Sequence, residues 1–182
     1  AKLAHMLGAQ GAIVTWDAGG NEFIEVIRTV RACEQLGIKT VSIYSQPDKD
    51  ELHVRFADQA VCVGPAESKL SYLNTTNIIS AAEITDCEGI HPGYGFLAEN
   101  ADFAEMCESC KIKFIGPPPA VIRAMGDKAN ARKLMADSGV KVLPGSHGDM
   151  GDMDEVLKVA ARIGFPVIIK AVGGGGGRGM RV

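Results

Sequence analysis

No stretch narrows the possible folds of this 182-residue chain more than residues 167–182, which read VIIKAVGGGGGRGMRV. Val167, Ile168 and Ile169 are β-branched and follow Pro166, a pattern that predicts a buried strand. Lys170 ends that run, and Gly173, Gly174, Gly175, Gly176 and Gly177 lead into Arg178, Gly179, Met180 and Arg181. Five consecutive glycines pack no side chain and cost backbone entropy to order. Such a loop is useful where main-chain N–H groups must approach something closely, and the usual something is a phosphate. Lys170, Arg178 and Arg181 add positive charge around the same space. The stretch reads as a nucleotide-phosphate loop.

Two rivals compete with that reading. A glycine run also serves as a flexible linker, but linkers usually mix in Ser and rarely start on an apolar strand. Gly174, Gly176 and Gly179 satisfy the dinucleotide fingerprint G-x-G-x-x-G. Any five-glycine run nearly satisfies it, however, and no helix or later acidic residue follows. The Walker pattern is absent, because no glycine here precedes Lys and then Ser or Thr.

Composition sets the class. Apolar content of 46% with a net charge of −3 describes a globular protein. Scattered basic residues and only ten aromatics (six Phe, three Tyr, one Trp) argue against a nucleic-acid partner. No apolar run approaches the ~20 residues of a membrane span. Five cysteines, an odd number, without a secretory leader predict a reducing compartment. Cys107 and Cys110 form one C-x-x-C; with no second pair or nearby His, half-buried helix cysteines are the reading preferred over a metal or redox site. Ala1 in place of Met and the stop just after the glycine run lead us to expect a fragment.

Along the chain, strands and helices alternate. Residues 12–14 suggest a short strand, and Asn21 suits a helix N-cap with Glu22 and Glu25 in the first turn. Phe23, Ile27, Val30 and Cys33 follow at helical spacing, and Gly37 supplies the stop. Residues 40–44 and 60–63 predict strands, 75–83 a helix, and a brief strand ends near Ile90. Asn100 or Glu99 opens a helix through Cys110, residues 114–115 form a strand, and Pro117, Pro118 and Pro119 end it. This alternation predicts an α/β fold, an open parallel sheet flanked by helices on both faces.

His91-Pro92-Gly93-Tyr94-Gly95-Phe96 follows the strand ending near Ile90. In open parallel sheets ligands gather at the carboxyl ends of strands, which makes this loop a candidate site wall. A tight turn with His91 and Tyr94 bonded to the backbone is the equal alternative. Lys128 begins a helix over 129–138, where the helix dipole disfavours a cation. Either an anion shares that place or Lys128 is an exposed surface residue. Asp152 and Glu155 predict a capping box, with Met153, Val156, Leu157, Ala160 and Ala161 facing a core.

Taken together, HPGYGFLAEN at 91–100, MGDK at 125–128 and IIKAVGGGGGRGM at 168–180 resemble the biotin carboxylase component of biotin-dependent carboxylases. The likeness spans roughly residues 21–182 in order and spacing. It implies a pre-ATP-grasp domain over 1–126 followed by the start of an ATP-grasp domain over 127–182. It also implies ATP-dependent activation of bicarbonate to carboxyphosphate and carboxylation of biotin on a carrier protein, as in acetyl-CoA carboxylase and fatty acid biosynthesis. Lys128 and Lys170 correspond by position to nucleotide-contacting lysines, and Gly173–Gly179 with Arg178 and Met180 to a mobile lid over the β- and γ-phosphates. Main-chain donors closing over phosphate beside lysine point charges fit that role, and a closed lid keeps water from a hydrolysable intermediate. ATP, Mg2+ and carrier-bound biotin are the implied cofactors and substrates. The Mg2+ ligands, the bicarbonate residues and the catalytic base are expected beyond Val182, so the chain alone is expected to be inactive. Implied partners are the biotin carboxyl carrier protein, a carboxyltransferase and a second copy in a homodimer. The implied compartment is bacterial cytoplasm, or plastid or mitochondrion in a eukaryote.

Two departures stand out. Asn21 is followed by Glu22-Phe23-Ile24 where the family has Arg-Gly-Glu, and residues 15–20 have no counterpart, which leaves the first strand open. Ala98 stands where Ser is common. Two other readings remain: another ATP-grasp ligase of the carbamoyl phosphate synthetase type, and a non-catalytic assembly module.

Overall fold

A computed structural model describes residues 2–6, 8–14, 22–146, 148, 150–170 and 180–182. The chain divides into two compact units, residues 1–122 and 123–182. Unit 1 opens with α1 (Lys2–Met6), β1 (Gly11–Val14), α2 (Glu22–Gln35), β2 (Lys39–Ser45), α3 (Leu52–Phe56) and β3 (Gln59–Gly64). It continues through α4 (Thr75–Ile84), β4 (Gly89–His91), α5 (Ala101–Ser109) and β5 (Lys113–Phe114) into α6 (Pro119–Gly126), which crosses the division. The five strands form one parallel sheet in the order β3-β2-β1-β4-β5.

Each face of the sheet carries its own core, and β1 shows why. Ile13 joins Val41, Ile43, Ile90 and Phe114 beneath Ile78 and Ala82 of α4 and Phe103 and Cys107 of α5. Val14 turns to the opposite face with Val26 and Val30 of α2. Successive strand residues point to opposite sides, so a strand covered on both faces reads as continuously apolar. Phe103 meets Phe114 edge to face at 6.1 Å. On the α2 side β2 buries Thr40 and Ser42, and each hydroxyl is satisfied. Thr40 donates to the Asp58 carboxylate at 2.9 Å, and Ser42 donates to the His53 carbonyl at 2.9 Å.

Helix ends follow their residues. Asn74 and Asn100 cap α4 and α5, their side chains accepting from the N–H of Asn77 and Phe103 at 3.1 and 2.9 Å. Gly37, at φ +70°, ends α2 as expected. The predicted N-cap Asn21 lies outside the described residues, as do the side chains of Glu22, Phe23 and Glu25. The first strand, left open by the divergent 15–20 stretch, is β1, paired with both β2 and β4.

Unit 2 holds α7 (Lys128–Asp137), α8 (Met153–Ile163), β6 (Ile169–Lys170) and β7 (Met180–Arg181), the two strands pairing antiparallel. Two expectations fail here. The strand predicted as buried over 167–169 is the two-residue β6, and Ile168, Ile169 and Lys170 are exposed. Among the described residues β6 pairs with β7 alone, so no further strand covers it. The core face predicted for α8 is largely open as well. Ala160 is buried and Val156 half-buried, while Ala161 is exposed and Met153 and Leu157 are 67% and 56% exposed. The periodicity is real, but the described part of this short unit has no layer to set against it.

Candidate functional site

The sheet order has one topological switch point. From β1 the chain moves outward to β2 and β3, then returns to β4 on the other side of β1. The crevice for a ligand in such a sheet lies at the carboxyl ends of the strands where the order reverses. The loop after β4 springs from that place, and the tight-turn reading of it holds at His91. His91 makes a tight turn, its Nδ1 accepting from the Gly93 N–H at 3.1 Å, and burial lowers its pKa. Gly93 and Gly95 have φ of +71° and +82°, the left-handed region that glycine enters without strain. Pro92 is buried, whereas Tyr94 is 73% exposed and faces solvent.

A second group at this edge was not foreseen. Ser45 ends β2, a 3-10 turn follows over Gln46–Asp48, and Tyr72 lies in the loop before α4. The Tyr72 hydroxyl donates to the Asp48 carboxylate at 2.6 Å and accepts from the Ser45 N–H at 2.9 Å. The Ser45 hydroxyl donates to the same carboxylate oxygen at 2.5 Å. Burial, and then the bond to Asp48, raise the Tyr72 pKa well above the ordinary phenol value. The Tyr72 ring stacks on Phe96 of the post-β4 loop, with centroids 5.9 Å apart. Nothing in the local spacing pairs residues 45, 48, 72 and 96; only the sheet order brings them to one edge.

In unit 2, Lys128 is the first residue of α7, and its side chain lies outside what is described. Asp127 is the N-cap, its carboxylate accepting from the Asn130 N–H at 2.9 Å. A carboxylate therefore already stands at the helix end where the cation looked unfavourable, so the dipole does not by itself call for an anionic ligand. Arg132 donates to the Leu143 carbonyl at 2.7 Å, and a Cβ at Gly145 would come within 2.5 Å of its guanidinium. Glycine at 145 lets that guanidinium lie against the loop. At α8 the Asp152 carboxylate caps the Glu155 N–H at 2.8 Å, while Glu155 reaches back to the Gly151 N–H at 3.2 Å. The return bond thus falls one residue earlier than in a standard capping box.

Lys170 ends β6 and stands opposite Met180 of β7, with Ile169 opposite Arg181. The glycine stretch is therefore the covalent link between two paired residues. Directly opposed residues share a face of the ladder, so Lys170 and Met180 share one and Ile169 and Arg181 the other. Lys170 is exposed. Gly173, Gly174, Gly175, Gly176, Gly177, Arg178 and Gly179 lie outside the described residues.

The C-x-x-C divides its residues. Cys107 is fully buried on α5, and burial pushes its thiol up to about 12; Cys110 is exposed at the helix end. The expected half-burial thus fits neither residue, since α5 turns one inward and ends at the other. Among the described residues no group of three or more His, Cys, Asp or Glu is placed to hold a metal ion, and no helix is long and apolar enough to cross a membrane.

Residues 21–122 match the family model of the biotin carboxylase N-terminal domain, and residues 127–182 match that of the carbamoyl-phosphate synthase L chain ATP-binding domain. The chain is 55% identical to biotin carboxylase 1 of Bacillus subtilis over 156 residues, covering 86% of this chain and 35% of that protein. It spans about a third of the length of the curated relatives it matches. The structure of a biotin carboxylase–β,γ-ATP complex from Campylobacter jejuni superposes with a TM-score of 0.86 at 42% identity, covering 97% of this chain and 39% of that one. The biotin carboxylase domain dimer of Hydrogenobacter thermophilus 2-oxoglutarate carboxylase, solved with MgADP, ADP and bicarbonate, gives 0.83 at 43% identity, covering 95% and 37%.

Proposed function

This chain belongs to the biotin carboxylase N-terminal domain family, and from that membership we propose that it is part of an ATP-dependent biotin carboxylase. The reaction would activate bicarbonate as carboxyphosphate and carboxylate a biotin held on a carrier protein. The observation that carries this reading is the pairing of β6 with β7, which sets exposed Lys170 opposite Met180, in a chain 55% identical to a biotin carboxylase over 156 residues.

The residues divide the work as follows. Lys170, at the foot of the hairpin, supplies a point charge to a phosphate oxygen. Main-chain N–H groups of 173–179 close over the β- and γ-phosphates without side-chain clash, Arg178 adds charge, and Met180 holds the return strand opposite Lys170. Lys128 serves as the second nucleotide lysine, with Asp127 and Asn130 fixing the helix turn that carries it. We set the boundary between the pre-ATP-grasp domain and the start of the ATP-grasp domain at 126/127. ATP arrives with Mg2+, which neutralises phosphate charge when bound; its ligands are sought outside residues 1–182.

Carrier protein, carboxyltransferase and a second copy of the subunit are the proposed partners, in an acetyl-CoA carboxylase or a related carboxylase. The compartment would be bacterial cytoplasm, plastid or mitochondrion. The match of 127–182 to the carbamoyl-phosphate synthase ATP-binding domain supports a second reading, a ligase that uses the same lid without biotin. The two part on one assay of the full-length protein. Bicarbonate-dependent ADP formation stimulated by free biotin is expected, and turnover indifferent to biotin would reject the first reading.

A further inference from the structure

We infer that Tyr72 is a positioning residue for the loop that follows β4: its hydroxyl is tied to Ser45 and Asp48 at the end of β2, and its ring holds Phe96. Donor and acceptor capacities of the hydroxyl are both used, at 2.6 Å to the Asp48 carboxylate and 2.9 Å from the Ser45 N–H. The Asp48 oxygen is itself held by the Ser45 hydroxyl at 2.5 Å. A ring fixed at its polar end has little rotational freedom, and it presents its face to Phe96 at 5.9 Å with 17° between the planes.

Phe96 needs an external hold. Its φ of +37° is costly for a bulky residue and persists only where the surroundings impose it. The backbone bonds of Gly93 to His91 Nδ1 and of Ala98 to the Gly95 carbonyl are local, so neither ties the loop to another strand. The aromatic pair does. It links the carboxyl ends of β2 and β4, which flank β1, across the switch point of the sheet. Residues 92–95 thus run between two fixed points, His91 on β4 and Phe96 on Tyr72.

What the loop serves rests on the carboxylase reading; that Tyr72 fixes it does not. The test is native-state amide exchange on the 182-residue chain, with Tyr72→Ala, Tyr72→Phe and Phe96→Leu compared by mass spectrometry and urea unfolding. The Gly93, Ala98 and Asn100 amides should exchange about tenfold faster in Tyr72→Ala and Phe96→Leu, the scale of one lost aromatic pair. Tyr72→Phe keeps the ring and should restore part of the protection, with α4 and α5 amides unchanged throughout. Loop exchange that stays at the wild-type rate, or that rises only in step with α4 and α5, would overturn the inference. In the full-length protein Tyr72→Ala should lower kcat while leaving the ATP KM, set by unit 2, unmoved; an equal change in both would also count against it. A wild-type full-length protein without biotin-dependent ADP formation would remove the carboxylase reading and leave the exchange result standing.

Discussion

Lys170 and His53 are titratable side chains in opposite surroundings. Lys170 is exposed at the end of β6. In the full-length protein Lys170→Ala should raise the ATP KM by roughly one to two decades, through loss of a charge-assisted phosphate contact. Steady-state kinetics that leave both KM and kcat unchanged would remove Lys170 from the site. His53 is buried on α3, and burial, the largest influence, lowers its pKa from the ordinary 6.5. A bond involving the Ile43 backbone and the charges of Asp48 and Glu51 oppose that shift without cancelling it. The unfolded chain therefore takes up a proton near pH 6.5 that the folded state refuses, and His91 is shifted in the same direction. Stability is complete above pH 6.5 and declines as pH falls through that value toward the lower folded-state pKa. Urea unfolding between pH 7.5 and 5.5 should show this decline, and His53→Gln should flatten it. An unaltered slope in the variant would assign the effect elsewhere.

At the scale of elements, the join of β3 to α4 depends on a glycine. Gly64 ends β3 at φ +151°, and a Cβ there would lie 2.2 Å from the Leu70 carbonyl oxygen, which is backbone and has no rotamer to yield. Gly64→Ala should cost about 2–4 kcal/mol, combining backbone strain with overpacking. Thermal or urea unfolding measures this directly, and a loss under about 0.5 kcal/mol, typical of a neutral surface change, would mean that the 70–71 turn moves aside. Elements of this kind were unevenly legible. Strands β2 to β5 and helices α2, α4, α5, α7 and α8 announce themselves by apolar runs or periodicity and by Asn, Asp or Gly at their ends, whereas β1 is left open by the divergent stretch after it. The five-residue α3 does not, because its inward group is a histidine and its Leu52 and Phe56 are exposed. The 3-10 turns at 46–48 and 68–70 are too short to show a period. The loop after β4 was visible as a glycine-punctuated segment at a strand end. Its partner Tyr72 was not, since the contact joins residues 24 apart through sheet order alone.

Across the whole molecule, burial is divided unequally between the two units. Ala160 is the one buried apolar residue after Ile122 among the described residues, whereas unit 1 holds three apolar clusters of its own. Met153, Leu157 and Ala161 of α8, with Ile168, Ile169 and Leu143, meet solvent. This asymmetry was hidden in the sequence, because the periodicity of α8 reports that a face is apolar and not whether another layer lies against it. Hydrophobic burial is the main stabilising contribution to folding, so the cooperative unfolding of this chain should belong to unit 1. Residues 1–126 expressed alone should keep a cooperative transition with a midpoint close to that of the 182-residue chain. Leu157→Lys in the whole chain should shift stability by less than about 0.5 kcal/mol, the usual effect of an exposed substitution. Two results would reverse this assignment. Residues 1–126 failing to unfold cooperatively would mean that their core depends on unit 2, and a loss of about 2 kcal/mol or more in Leu157→Lys would mean that the α8 face is covered in solution.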